Sequence, residues 1–147
     1  MKLIAHRGNI NGAVPQRENT PEYIQEALDL GYDVEIDVRH HDGKILLGHD
    51  NGETHIPLDW IQGRKENLWI HCKNLEALRF LNYIDGLNFF WHQEDDFTLT
   101  SKNIIWTYPK KSTTENSVLV CFTEDEMFEA AKKPLFGICC DWVGKLG

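Results

Sequence analysis

Two of the histidines, two of the carboxylates and one of the arginines in the first fifty residues of this chain each stand at or near the end of an apolar run. They are His6 and Arg7 in Ile4-Ala5-His6-Arg7-Gly8, Glu35 and Asp37 in Glu35-Ile36-Asp37, and His49 in His49-Asp50. That set suits metal-assisted acid/base chemistry on a phosphate ester. Glu35 and Asp37 are two apart in a run that reads as a strand, so both project from one face while Val34, Ile36 and Val38 take the other. Neighbouring carboxylates repel unless a cation or a proton lies between them, and a hard divalent ion such as Mg²⁺ or Ca²⁺ takes oxygen ligands. Imidazoles at 6 and 49 suit the proton transfers of phosphodiester cleavage near neutral pH: one takes a proton from the attacking hydroxyl, the other protonates the leaving alkoxide. Arg7 offers a planar fork to phosphate oxygens. Each group also has a plainer reading: a solvent-facing strand edge for the carboxylates, a structural hydrogen bond for His6, a surface ion pair for Arg7. In Glu18-Asn19-Thr20, Thr20 is a helix cap, and Glu18 and Asn19 are either loop residues or supports of the site.

The elements that must position these groups fit one domain over residues 1–147, with 41% apolar and 26% charged residues. A net charge of -8 argues against nucleic acid or an anionic membrane as the main partner. A phosphodiester is itself an anion, so cations must be concentrated locally. No apolar run approaches the roughly 20 residues of a membrane span. Lys2-Leu3-Ile4 opens a strand directly, so a cytoplasmic protein without a membrane anchor is expected. The four cysteines (72, 121, 139 and 140) form no Cys-x-x-Cys pair and read as buried reduced thiols, with a disulfide or metal role as the alternative.

Short apolar runs read as strands: 3–5, 32–38, 44–48, 68–72, 88–91, 97–100, 103–106, 118–122 and 137–140. Three helices are predicted. Thr20 and Pro21 open the first, with Tyr23, Ile24, Ala27 and Leu28 inward and Gly31 at its end. Asn74 caps a second with Leu75, Leu78 and Leu81 inward, and Thr123-Glu124-Asp125-Glu126 opens a third with Met127, Ala130 and Ala131 inward. A three-residue loop at His41-Asp42-Gly43 would pair Arg39 with Ile45, Asp37 with Leu47 and Glu35 with His49, setting His49 directly across from Glu35.

The ordered string His6-Arg7-Gly8, Glu18-Asn19-Thr20, Glu35-Ile36-Asp37-Val38, Asp42-Gly43 and His49-Asp50 resembles the glycerophosphodiester phosphodiesterase family. That family belongs to a wider group with the phosphatidylinositol-specific phospholipases C and the spider-type sphingomyelinases D. The match covers residues 4–50 well and 68–73 in part. The resemblance implies a single phospholipase C-like phosphodiesterase domain with a (β/α)₈ TIM-type barrel. Such a barrel normally takes about 250 residues. Here roughly 18 residues are available per strand, so the expected form is compact and irregular with several outer helices missing. An open mixed α/β sheet is the alternative. The resemblance also makes His6 and His49 the two catalytic histidines.

The departure from the family lies in Leu68-Trp69-Ile70-His71-Cys72-Lys73. The family strand reads apolar-Glu-apolar-Lys, its acidic residue completing the metal site; here His71 holds that slot and Lys73 matches the lysine. His71 would bind a different or looser metal, admitting Mn²⁺, or donate to phosphate, or leave a site that relies on Lys73 and Arg7 alone. Lys73 is read as a phosphate clamp, and His92, at the end of the run 88–91, as a further phosphate contact or a surface residue. Trp106 and Tyr108 would wall a pocket or pack in the core, and Asp141 would orient a histidine or cap a turn. The expected function is cleavage of a glycerol- or polyol-type phosphodiester; the rival is a phosphate- or sugar-phosphate-binding module that has lost turnover. Oligomeric state is not legible.

Overall fold

The computed structural model describes residues 1–50 and 54–147. Its elements run β1 (Lys2–His6), α1 (Pro21–Asp29), β2 (Asp33–His41), β3 (Lys44–Leu47), β4 (Thr54–Ile56), α2 (Leu58–Gln62), β5 (Leu68–Cys72), α3 (Leu75–Asn82), β6 (Phe89–Phe90), β7 (Phe97–Leu99), β8 (Ile105–Thr107), β9 (Ser117–Val120), α4 (Glu124–Ala130) and β10 (Gly137–Cys140).

Seven of these strands are mutually parallel, in the order β6-β5-β2-β1-β10-β9-β8. Hairpin partners extend the sheet antiparallel, β3 and β4 beyond β2 and β7 beside β8. The sheet curls on itself: Phe90 of β6 and Trp106 of β8, at opposite ends of the parallel path, stack with ring centroids 4.5 Å apart. At the seam, the Ser101 amide donates to the Phe89 carbonyl at 2.9 Å, and Thr98 Oγ1 donates to the Trp91 carbonyl at 2.9 Å. Among the described residues β6 and β7 share no ladder, so the hydrogen bonding is not closed. Of the expected compact, irregular barrel with several outer helices missing, the structure shows a curled mixed α/β sheet with few helices, its seven parallel strands bridged at the seam by a hairpin and not closed by a ladder among the described residues. Only the crossovers β1-α1-β2, β5-α3-β6 and β9-α4-β10 are single helices, which is how the fold fits the short chain.

Three local expectations also change. Asp42 and Gly43 both take positive φ, 51° and 74°. That is the two-residue hairpin turn an Asp-Gly pair favours, and it pairs His41 with Lys44 and Val38 with Leu47. The ladder is therefore one residue off the expected register. Leu75 is exposed because α3 buries the face of Ala77 and Leu81, and a residue two positions before Ala77 lies on the opposite side of the helix. Ala131 is exposed because it is the C-cap of α4, past the helix body. The expected caps are in place: Thr20 Oγ1 accepts from the Tyr23 amide at 3.3 Å, and Asn74 Oδ1 from the Ala77 amide at 2.9 Å.

Alternation divides each parallel strand between two environments. Val34, Ile36 and Val38, Leu68 and Ile70, and Ile138 and Cys140 face outward into a core shared with the helices. Ile4, Trp69, Phe90, Trp106, Val118 and Cys139 fill the inside of the curl. This inner plug is the floor on which the polar residues one step further along each strand stand. All four cysteines are buried and free; burial pushes the thiols of Cys72 and Cys121 up to about 12. No helix is long and apolar enough to cross a membrane.

Candidate active site

Above the inner plug, at the C-terminal ends of the parallel strands, the inward positions become polar. Register explains the grouping: His6 pairs with Glu35 across β1 and β2, and Asp37 with His71 across β2 and β5. Paired residues on parallel strands share a face, so these four side chains meet over one cavity of about 290 Å³. Arg7, His49, Lys73, His92, Trp106 and Tyr108 also line it. This is the mouth at which parallel barrels build their sites.

The deepest group is Glu35, Asp37 and His71, each offering a ligand atom within 4.8 Å of the other two. His71 Nε2 donates to the His92 carbonyl at 2.8 Å. A carbonyl can only accept, so Nε2 carries a proton and Nδ1 is the nitrogen left to face the carboxylates. That Nδ1 lies 3.5 Å from both Glu35 Oε2 and Asp37 Oδ1. A backbone acceptor that fixes the far nitrogen is how proteins orient metal-binding histidines. Asp37 is held from behind. Asn19 Nδ2 donates to its Oδ2 at 3.0 Å, the Asp37 amide donates to Asn19 Oδ1 at 3.0 Å, and Arg7 Nε lies 3.0 Å from the same Oδ2. Asp37 Oδ1 and Glu35 Oε1 are buried with no hydrogen-bond partner. Two orphaned carboxylate oxygens and one oriented imidazole nitrogen are a donor set that a divalent cation would satisfy, so the residues fit a metal ion.

The two carboxylates titrate apart. Burial and the charge of Glu35 push Asp37 above the usual carboxylate range. Burial also acts to raise Glu35, but His71, His6 and Arg7 outweigh it and hold Glu35 low.

His6 is anchored at one nitrogen. Its Nδ1 lies 2.8 Å from Asp141 Oδ1, and its Nε2 is 3.9 Å from Glu35 Oε1. Burial acts to lower its pKa, but the Asp141 hydrogen bond and the Glu35 charge outweigh burial, and the value is raised above 6.5. Asp141 is held low, its burial outweighed by the bonds from His6 and Asn9. Asn9, fully buried, is the hub of this support. Its Nδ2 donates to Asp141 Oδ1 at 3.0 Å and to Glu18 Oε2 at 2.9 Å, and its Oδ1 accepts from Tyr23 Oη at 3.1 Å. Glu18 in turn accepts from Arg7 Nη1 at 3.2 Å. Glu18 and Asn19 thus support the site from outside the cavity. Arg7 and Asn19 both adopt left-handed backbone, φ 57° and 58°, a strained conformation that the surrounding bonds enforce.

Gly8, beside them, has φ 95°, and a Cβ there would sit 2.8 Å from Tyr23 Cδ2. Gly8→Ala is expected to destabilise the protein by roughly 1–3 kcal/mol, read as a fall in the midpoint of denaturant unfolding.

The remaining expected site residues are placed as follows. His49 is not across from Glu35 in the ladder. Gly48, at φ 149°, donates its amide to the Asp37 carbonyl at 3.0 Å, and His49 lines the cavity from the turn that follows. Its Nδ1 lies 2.7 Å from Asp50 Oδ1, and its side chain is 42% exposed. Lys73 lines the cavity and has no ion-pair partner among the described residues. His92 is buried at the wall, its Nε2 donating to the Asp95 carbonyl at 2.6 Å. It can therefore donate to an anion only through Nδ1, and only as the imidazolium. Trp106, Tyr108, Val120 and Phe122 give the opposite wall an apolar surface. Asn9 was not legible in the sequence, because the acidic partners of its Nδ2, Glu18 and Asp141, are 9 and 132 residues away and no local spacing signals them.

No protein-family model and no curated protein sequence matches the chain. Solved structures do. The chain is similar to a glycerophosphodiester phosphodiesterase from Agrobacterium tumefaciens, with 15% identity over 98% of this chain and 97% of that one and a TM-score of 0.61. It is also similar to one from Thermotoga maritima, with 16% identity over 98% and 96% and a TM-score of 0.57. These likenesses show the fold of the glycerophosphodiester phosphodiesterases.

Proposed function

We propose that residues 1–147 form a phospholipase C-like phosphodiesterase domain that cleaves a glycerol- or polyol-type phosphodiester with the help of a divalent cation. The observation that carries this reading is the meeting of two kinds of group over one cavity. Glu35 Oε2 and the partnerless Asp37 Oδ1 each lie 3.5 Å from an oriented His71 nitrogen, and the anchored His6 stands 3.9 Å from the partnerless Glu35 Oε1. Mere anion binding needs no buried carboxylate pair, which a phosphate would repel. The shared fold supports the same chemistry.

Glu35, Asp37 and His71 would hold the ion. Mg²⁺ or Ca²⁺ suits the two carboxylates, and the imidazole admits Mn²⁺. When bound, such an ion supplies positive charge to the phosphate and makes a neighbouring hydroxyl more acidic. Arg7 and Lys73 would neutralise the phosphate oxygens, with His92 as a further contact. His6, anchored on Asp141, suits the proton donor to the leaving alkoxide, and His49 then takes the proton of the attacking hydroxyl.

Turnover of a generic aryl phosphodiester tests the reading, assayed with Mg²⁺, Ca²⁺ and Mn²⁺ and after treatment with a chelator. Turnover that the chelator abolishes and a divalent ion restores is expected. Phosphate binding without turnover under every ion would overturn it and favour the binding module.

A further inference from the structure

Arg39 stands two positions beyond Asp37 on β2, on the same face of the strand. It is not among the residues lining the cavity. Its guanidinium instead bridges two backbones: Nη2 donates to the carbonyl of His49 at 2.9 Å and Nη1 to the carbonyl of Lys73 at 3.3 Å. The two bridged segments are not equally secured. The turn from β5 into α3 is fixed without Arg39. The Lys73 amide donates to the Val38 carbonyl at 2.9 Å, and the Asn74 side chain both accepts from the His40 amide at 3.2 Å and donates to the His40 carbonyl at 3.1 Å. The segment after β3 has fewer such ties in the described residues. Among the described residues, the Gly48 amide on the Asp37 carbonyl is its other backbone tie to β2 beyond Leu47.

We propose that Arg39 is a positioning residue, whose guanidinium straps the His49 backbone to the fixed β5–α3 turn and so sets His49 against the phosphate site at Lys73. The residue type follows from the task. Arginine presents several N–H donors in one rigid plane and so can span two carbonyls, whereas the compact lysine ammonium has no such fork. The asymmetry of the anchoring gives the proposal its signature. Loss of the strap frees the His49 side and leaves the Lys73 side in place, so proton transfer suffers and phosphate affinity does not.

The kinetic part rests on the phosphodiesterase reading; the backbone part does not. Arg39→Ala and Arg39→Lys are compared with the wild type in two measurements. In hydrogen exchange, the peptide spanning 44–50 is expected to exchange about tenfold faster in both variants, while the peptide spanning 70–78 keeps its wild-type rate. In turnover of an aryl phosphodiester, kcat is expected to fall by up to about 10²-fold, the cost of a misplaced catalytic group, with KM within about twofold and partial rescue of Arg39→Ala by free guanidinium. Unchanged exchange of 44–50 in both variants overturns the strap, and so does a loss confined to KM. A wild type without turnover would sink the phosphodiesterase reading alone, and the exchange data would still decide the strap.

Discussion

Replacing His6 by alanine is expected to lower kcat for phosphodiester cleavage by about 10²–10⁴-fold, the usual worth of a positioned general acid or base, with little change in KM. The reason lies in how the ring is held. Nδ1 is committed to Asp141 at 2.8 Å, so Nε2 is the working nitrogen, and it faces Glu35 and the cavity. Two buried or half-buried carboxylates beside one imidazole favour its charged form and raise its pKa above 6.5. The sign for stability follows from linkage. A histidine whose pKa is raised by folding contributes stability that is present in full below about 6.5 and is lost as pH rises through the folded-state value. The same titration sets the activity profile: if the imidazolium is the donor, turnover declines on the alkaline side as His6 loses its proton. Asp141→Asn removes the largest contribution that raises the pKa, so its alkaline limb is expected at lower pH than that of the wild type, with a smaller loss of kcat than His6→Ala. A pH–rate profile of the three proteins reads this directly. An alkaline limb that does not move in Asp141→Asn would mean that His6 is not the titrating group.

The second large effect concerns the ion. Asp37→Asn is expected to weaken divalent-ion binding by on the order of 10²-fold or more, measured by titration calorimetry with Mn²⁺, because it removes one of two anionic ligands from a site that hard cations hold through carboxylate charge. The same substitution is expected to leave the metal-free protein at least as stable as the wild type. Burial and Glu35 raise the pKa of Asp37, so folding disfavours its charge, and asparagine can still accept from Asn19 and occupy nearly the same volume. Gain of stability with loss of ligand is the pattern of a group retained for function. His71→Glu, in the same calorimetric series, restores an all-oxygen trio and is expected to shift preference from Mn²⁺ toward Mg²⁺ and Ca²⁺. Equal Mn²⁺ affinity in wild type and Asp37→Asn would place the ion elsewhere.

What could be read in the sequence was what depends on period and local chemistry. Glu35 and Asp37 share a face because strands alternate, and Thr20, Asn74 and Thr123 announce their helices because cap chemistry is local. The ladder of β2 with β3 was misread by one residue, because Asp42 and Gly43 close a two-residue turn where a three-residue loop was expected. His49 still lines the cavity only because Gly48 turns the chain at a φ of 149°, a conformation that the pattern of apolar residues does not encode. β4 was missed because Thr54–Ile56 is a three-residue edge strand without an apolar run. Asp141 was offered by the sequence as a residue that would orient a histidine, and it does; that the histidine is His6, 135 residues away, depends on β1 and β10 lying side by side, which no spacing rule reveals. The substitution of histidine at position 71 was visible as a departure from the family pattern; its meaning was not, until the bond to the His92 carbonyl showed which nitrogen faces the carboxylates.

Phosphorus NMR of a glycerophosphodiester incubated with the wild-type protein and Mn²⁺ or Mg²⁺ addresses the whole account at once. The diester resonance is expected to give way to that of a phosphomonoester or of a cyclic phosphate, the choice between them identifying water or a substrate hydroxyl as the attacking group, and His6→Ala is expected to leave the spectrum nearly unchanged over the same time. A diester signal that persists with the wild-type protein under every divalent ion would contradict it.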